Sequence, residues 1–292
     1  MSSTRPAPGA GLQAYQAILE RPEATLLAVD FDGTLAPITA NPEEAYAQPE
    51  AVQALGRLGA RVGAVVVITG RPAPTAVRLG GFRQVPGLDR LIVLGQYGVE
   101  RWDARTDQFV LPPEPEAVAA VAEELPGLLA ELGLSGVRIE HKGRAIGVHT
   151  RELGDSSRAF ARLEGPLREL AGRHGLHLEP GKSVLEIRAP GIDKGDALRA
   201  VVAETGARQV IFAGDDLGDL PAFRAVEELR IEGIDGLLIC SASHEEDALT
   251  AMSDLVLDGP EGVAAWLTAM AEELDRAGAA PAARPDGALS AG

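Results

Sequence analysis

The segment Leu26-Leu27-Ala28-Val29-Asp30-Phe31-Asp32-Gly33-Thr34-Leu35 constrains the fold of this chain more than any other. Its apolar run is too short for an ordinary helix and suits a buried strand. The run stops at two carboxylates spaced two apart, and burying Asp30 is costly unless something compensates its charge. A second apolar run, Val210-Ile211-Phe212-Ala213, ends the same way, in Gly214-Asp215-Asp216-Leu217-Gly218-Asp219. Two strands that end in carboxylates read as the halves of a magnesium site, because Mg²⁺ prefers oxygen ligands and usually binds beside a substrate phosphate.

Further apolar runs fall at Ala64–Ile68, Leu91–Leu94 and Gly236–Ile239, beside Thr25–Val29 and Val210–Ala213. Continuous apolar strands of this kind are expected in a parallel sheet covered on both faces. Helical spacing separates them, as in Ala197, Leu198, Val201 and Val202, or Val263, Trp266, Leu267 and Met270 behind Pro260. The alternation predicts a doubly wound, Rossmann-like α/β core. Ligands of such sheets bind beyond the carboxyl ends of the strands. Asp30, Thr69 and Asp215 all fall at or just past such ends.

The middle of the chain is patterned differently. A Pro-rich stretch, Leu111-Pro112-Pro113-Glu114-Pro115, precedes two helical patterns, one through Val118, Val121, Ala122 and Leu125, the other through Phe160, Leu163, Leu167 and Leu170. Short alternating segments lie at 137–140, 145–149 and 184–188. Alternation implies a sheet with one packed and one open face. Val137, Ile139, Leu185 and Ile187 are expected to pack, with Arg138, Glu140, Glu186 and Arg188 on the open side. The chain therefore divides into a discontinuous core at 20–102 and 189–275, an inserted α+β cap at 103–188, an N-terminal arm at 1–19 and a disordered Ala/Pro/Gly-rich tail at 276–292.

Composition narrows the partners. The 292 residues carry a formal net charge of −16, which argues against a nucleic-acid partner. The same field repels an anionic substrate, so a phosphate site here needs local cations. The lone Cys240 sits in an apolar run and reads as a core residue, as do Trp102 and Trp266. No apolar stretch is long enough to span a bilayer, and Met1–Gly11 has no apolar leader core. A soluble, cytoplasmic, monomeric protein is expected.

The residues suggest phosphoryl transfer to a carboxylate. Such chemistry needs a nucleophile, a metal, a second acid and donors around the transferring oxygens. Asp30 can attack and Asp32 can serve as acid and base. In Ile68-Thr69-Gly70-Arg71, Thr69 can donate to the phosphoryl group, while Gly70 and Arg71 are candidate substrate contacts. Lys194 in Asp193-Lys194-Gly195 can supply positive charge, and Asp215 can bind magnesium with Asp216 and Asp219 in support.

This ordered set resembles the haloacid dehalogenase superfamily of phosphohydrolases through DFDGT at Asp30–Thr34, ITGR at Ile68–Arg71, DKG at Asp193–Gly195 and GDD at Gly214–Asp216. The resemblance implies that Asp30 is the nucleophile and Asp32 the acid/base, with Asp30, the backbone carbonyl of Asp32, and Asp215 around Mg²⁺. The long insert is similar to that superfamily's second (C2) cap type. A closer resemblance, to trehalose-6-phosphate phosphatases, rests on DFDGTLAPI, on Gly95–Glu100, on Glu140-His141-Lys142 with His149-Thr150-Arg151, and on Gly181–Arg188. It implies hydrolysis of trehalose 6-phosphate through an aspartyl-phosphate, with Glu140, Lys142 and Glu186 gripping sugar hydroxyls. Tyr97 departs from the His common among relatives, and Gly218-Asp219-Leu220 from Thr-Asp-Glu.

Other readings stay open at this point. Another sugar phosphate or a pseudo-disaccharide phosphate would suit the same chemistry. Glu140, Lys142 and Glu186 also fit a solvated charged face. A phospho-receiver signalling module uses similar groups, but it lacks an equivalent of Asp32 and has no cap.

Overall fold

A computed structural model describes residues 5–181, 183–242 and 247–279. Helix α1 (Ala10–Glu20) leads into β1 (Thr25–Val29), followed by α2 (Pro49–Gly59), β2 (Ala64–Ile68), α3 (Ala73–Gly80) and β3 (Ile92–Gly95). Two further strands follow, β4 (Glu100–Asp103) and β5 (Gln108–Val110). The chain then forms α4 (Glu116–Glu131), β6 (Arg138–His141), β7 (Ala145–His149), α5 (Ser156–Arg173), β8 (His177–Gly181) and β9 (Val184–Arg188). It closes with α6 (Lys194–Thr205), β10 (Gln209–Gly214), α7 (Leu220–Ile231), β11 (Asp235–Ser241), α8 (Asp247–Met252), β12 (Leu255–Leu257) and α9 (Gly259–Ala279).

Among the described residues the core sheet has eight strands in the order β12-β11-β10-β1-β2-β3-β4-β5. The strands from β12 to β3 are parallel, while β4 and β5 are antiparallel. All five residues of β1 are buried because both of its faces are covered. The pleat sends Leu27 and Val29 into a cluster with α1, α2, α3 and α9, and Leu26 and Ala28 into one with α6, α7 and α8. Trp102, Trp266 and Cys240 are all buried in the core, as read from the sequence. The chain runs from β1 toward β2 and β3 on one side, and later from β10 toward β11 and β12 on the other. The order thus reverses at the β1/β10 boundary, where a doubly wound sheet opens a crevice for ligands.

A second sheet, β6-β7-β9-β8, is antiparallel throughout and lies in the inserted segment. Its packed face meets α4 and α5 through Val121, Leu125, Ile146, Leu163, Leu185 and Ile187. The alternation read in the sequence is therefore the alternation that folds.

The division of the chain differs from expectation at three places. The core sheet continues past 102, because Trp102 pairs with Val93 and Phe109 and extends it to Val110. The expected arm contains α1, which buries Ala14, Tyr15 and Ile18 against the core. Residues 276–279 of the expected tail belong to α9, while residues 280–292 and 1–4 lie outside the described residues. No helix among the described residues is long and apolar enough to cross a membrane.

Candidate active site

The crevice collects its charges from strand ends and one helix start. The Asp30 amide donates to the Ala213 carbonyl at 2.8 Å, which carries the β1/β10 ladder up to the carboxylate itself. Lys194 Nζ donates to Asp30 Oδ1 at 2.6 Å and to Asp219 Oδ1 at 2.7 Å. Lys194 opens α6, where a positive charge opposes the helix dipole. A capping box offsets this: Asp193 Oδ1 accepts from the Asp196 amide at 2.9 Å, and Asp196 Oδ2 from the Asp193 amide at 3.2 Å.

Asp219 is fully buried, and its Oδ2 accepts from the amides of Asp215 (2.9 Å) and Asp216 (3.3 Å). It therefore shapes the loop that presents Asp215 and also anchors Lys194. Asp216 is exposed and caps the following turn through the Gly218 amide at 2.9 Å. Two glycines make the close packing possible. A Cβ on Gly214 would lie 2.4 Å from Asp219 Cγ, and one on Gly33 (φ +75°) would lie 1.9 Å from Asp215 Oδ2.

One oxygen each from Asp30, Asp215 and Asp219 lies within 4.8 Å of the others. Three buried carboxylates against one ammonium leave uncompensated negative charge in a buried pocket. Burial pushes the Asp30 carboxyl well above its usual range; Lys194 pulls it back, and Asp219 and Asp216 push it further up. Burial likewise pushes Asp215 up to about 10, with Asp30, Asp219 and Asp216 adding to the rise. Burial works against the charge of Lys194, yet Asp219 and Asp30 outweigh it and hold the ammonium well above the usual lysine range. An all-oxygen donor set with excess negative charge fits a hard divalent cation such as Mg²⁺.

Asp32 stands apart from this cluster. Its two oxygens accept from Arg71 Nη2 and Nε, both at 2.6 Å, the bidentate fork that arginine offers a carboxylate. Arg71 also donates Nη1 to the Pro42 carbonyl at 2.8 Å and lies 5.7 Å from the centre of the Phe31 ring. Thr69 is buried, and its Oγ1 accepts from the Arg71 amide at 3.1 Å. Gly70 is covered by Tyr97 and does not line the adjoining cavity.

The open face of the cap sheet supplies the opposite wall. Strand register sets Glu140, Gly147, Glu186 and Glu179 in one row across the four strands. Gly147 leaves room between the carboxylates: a Cβ there would lie 3.1 Å from His149 Nε2 and 3.6 Å from Glu140 Oε2. Lys142 Nζ donates to Glu186 Oε2 at 2.5 Å and lies 4.0 Å from Glu140 Oε2. Glu140 Oε2 meets His149 Nε2 at 2.7 Å. Burial opposes the charge of Glu140, but the His149 hydrogen bond and the charges of Lys142, His149 and Arg138 push its carboxyl down to about 2. A cavity of about 410 Å³ separates cap and core, with Asp32 and Arg71 on one wall and Arg138, Glu140, Lys142 and His149 on the other. Glu186 is buried beneath Lys142 and does not reach the cavity.

The structure thus brings together Asp30, Asp215, Asp219 and Lys194 in one group, Asp32 and Arg71 in a second, and Glu140, Lys142 and Glu186 in a third. Sequence reasoning gave no role to His149 or Tyr97. A signal existed for His149 in the alternation Ala145-Gly147-His149, which sets it on the face opposite Ile146 and Val148. For Tyr97 the sequence offered only its departure from the His common among relatives, because its reach to Glu186 depends on a left-handed turn at φ 62°.

Parallel strands ending in carboxylates, a buried lysine on a following helix and an inserted cap define a haloacid dehalogenase-type fold. A solved haloacid dehalogenase-like hydrolase from Bacteroides thetaiotaomicron shares it with a TM-score of 0.56, 17% identity, and coverage of 86% of this chain and 98% of that one. The model of the trehalose-phosphatase family matches residues 28–254, and the chain belongs to that family. A trehalose-phosphate phosphatase of Mycobacterium avium (strain 104) is 31% identical over 257 residues, covering 85% of this chain. The chain spans 62% of that relative's length. A solved trehalose-6-phosphate phosphatase related protein has the same fold at a TM-score of 0.65 and 24% identity, covering 85% of this chain and 97% of its own.

Proposed function

We propose that this chain hydrolyses trehalose 6-phosphate to trehalose and phosphate, with Mg²⁺ and an aspartyl-phosphate on Asp30. The observation that carries the reading is the buried Asp30–Asp215–Asp219–Lys194 cluster at the β1/β10 crevice, beneath a polar cap face. Family membership and the name of the mycobacterial relative support the choice of sugar.

Asp30 and Asp215, with the Asp32 carbonyl, would hold Mg²⁺, and Asp216 and Asp219 would support them. When bound, the ion neutralises charge on the phosphoryl oxygens. Asp30 Oδ1 is held by Lys194, so Oδ2 is the attacking oxygen. It bonds to phosphorus as the bond from phosphorus to the sugar oxygen breaks, and Asp32, protonated on an oxygen that Arg71 has released, gives that proton to the departing oxygen. Asp32 then takes a proton from water, whose oxygen attacks phosphorus and breaks its bond to Asp30. Phosphate leaves and Asp30 is restored. Thr69 and Lys194 donate to the phosphoryl oxygens. Arg71 orients Asp32, and Glu140 and Lys142 take sugar hydroxyls.

Phosphate release from trehalose 6-phosphate, glucose 6-phosphate and p-nitrophenyl phosphate tests this. The disaccharide is expected to turn over far faster than the monosaccharide, and EDTA to abolish turnover. Folded Asp30→Asn, shown by mass spectrometry not to be deamidated, is expected to be inactive. Equal rates on both sugars would overturn the substrate, and an active Asp30→Asn the nucleophile.

A further inference from the structure

Tyr97 occupies the left-handed region at φ 62°, directly after Gln96 at φ 49°. Two successive non-glycine residues in that region are costly and persist only where their surroundings hold them there. Those surroundings are the segment that carries Thr69 and Arg71. The Gln96 amide donates to the Arg71 carbonyl at 2.9 Å, and the Tyr97 amide to the Thr69 carbonyl at 3.0 Å. Gln96 Nε2 donates to the Gly70 carbonyl at 3.3 Å. A Cβ on Gly70 would lie 3.0 Å from the Tyr97 hydroxyl.

From this anchored turn the side chain leaves the core and enters the cap. Tyr97 Oη donates to Glu186 Oε1 at 2.9 Å, and the Arg188 guanidinium lies 4.6 Å from the centre of the Tyr97 ring. Glu186 and Arg188 are two apart on β9 and share its open face. The second oxygen of Glu186 accepts from Lys142 at 2.5 Å. Both oxygens are therefore taken within the protein, and it is Lys142, not Glu186, that borders the cavity. Burial, with Glu186 beside it, pushes the Tyr97 hydroxyl well above the usual phenol range, so it remains a donor.

We infer that Tyr97 is a positioning residue: it docks the cap on the core and, through Glu186, aims Lys142 at the hydroxyls of a bound sugar. The aiming rests on the function proposed above, whereas the docking stands without it.

Tyr97→Phe removes one hydroxyl and keeps the ring under Arg188. A charge-assisted hydrogen bond of this kind is worth about tenfold or more in an equilibrium. Amide exchange at Gln96 and Tyr97, whose amides are bonded to the Arg71 and Thr69 carbonyls at the docked turn, is expected to quicken about tenfold, while β1 and β10 keep their protection. The kcat/KM for trehalose 6-phosphate is expected to fall about tenfold, chiefly through KM, and that for p-nitrophenyl phosphate to fall far less. Glu186→Gln keeps an acceptor for Tyr97 but loses the charge that holds Lys142. It should exchange like the parent and still lose disaccharide selectivity. Parental exchange in Tyr97→Phe would overturn the docking. Quickened exchange with selectivity retained would overturn the aiming. A parent enzyme inactive on trehalose 6-phosphate would refute the substrate, and the exchange comparison would still decide the docking.

Discussion

Glu140 shows how one side chain can tie the acid stability of the cap to its cavity-facing wall. Its carboxyl ordinarily titrates near 4.5 and is held at about 2 by His149, Lys142 and Arg138 against the cost of burial. A group depressed on folding contributes stability that is complete above its unfolded value and is lost as pH falls through its folded value. Urea midpoints of the parent are therefore expected to drop between pH 4.5 and 2, and those of Glu140→Gln to drop less over that window. Equal slopes would show that Glu140 is not the group responsible. At this scale the sequence was legible where a carboxylate closed an apolar run, as at Asp30 and Asp215. It was not legible where a role comes from a partner remote in the chain. Asp219 reads as one more acid in a cluster, yet it anchors a lysine 25 residues away. Glu186 reads as an outward charge on an alternating strand, yet Tyr97 and Lys142 cover it.

Among the elements, α6 has the clearest local instructions. Asp193 caps it, Asp196 reciprocates, and Gly206 ends it in a left-handed turn at φ 67°. Asp193→Ala is expected to cost about 1 kcal/mol in urea unfolding. Because Lys194 is the next residue, the same change is expected to lower kcat as well. Loss of stability with kcat intact would mean that Asp30 and Asp219 alone fix the lysine. The buried strands β1, β2, β3, β10 and β11 could be read from their apolar runs, since both faces need covering. Strands β4, β5, β8 and β12 escaped that reading. β12 has only three residues, and β4 reads Glu-Arg-Trp-Asp. The reason for β4 is tertiary: the buried Glu100 turns inward to accept the Ala73 amide at 2.6 Å, capping α3, whose N-cap residue Pro72 offers no side-chain acceptor. Period-two hydrophobicity has no means of announcing such a charge.

For the molecule as a whole, a net charge of −16 confronts a proposed substrate that is itself anionic. Arg71, Lys142 and Arg138 act at close range, while the general field acts at a distance and is screened over about 10 Å at 0.1 M salt. Raising NaCl from about 10 to about 100 mM is expected to lower the KM for trehalose 6-phosphate. A rising KM would mean that the local cations dominate the approach. The placement of β1 in mid-sheet has a different consequence, one of timing. Thr25 and its hydrogen-bonded partner Gln209 are 184 residues apart. A ribosome adding roughly 5–20 residues per second needs about ten to forty seconds to cover that gap. Throughout that interval the strand leading to Asp30 lacks one neighbour, and its bare apolar edge is open to wrong partners. Asp30 is made early and its pocket is completed late, so a nascent chain that stalls between them is an aggregation hazard before it has a finished core.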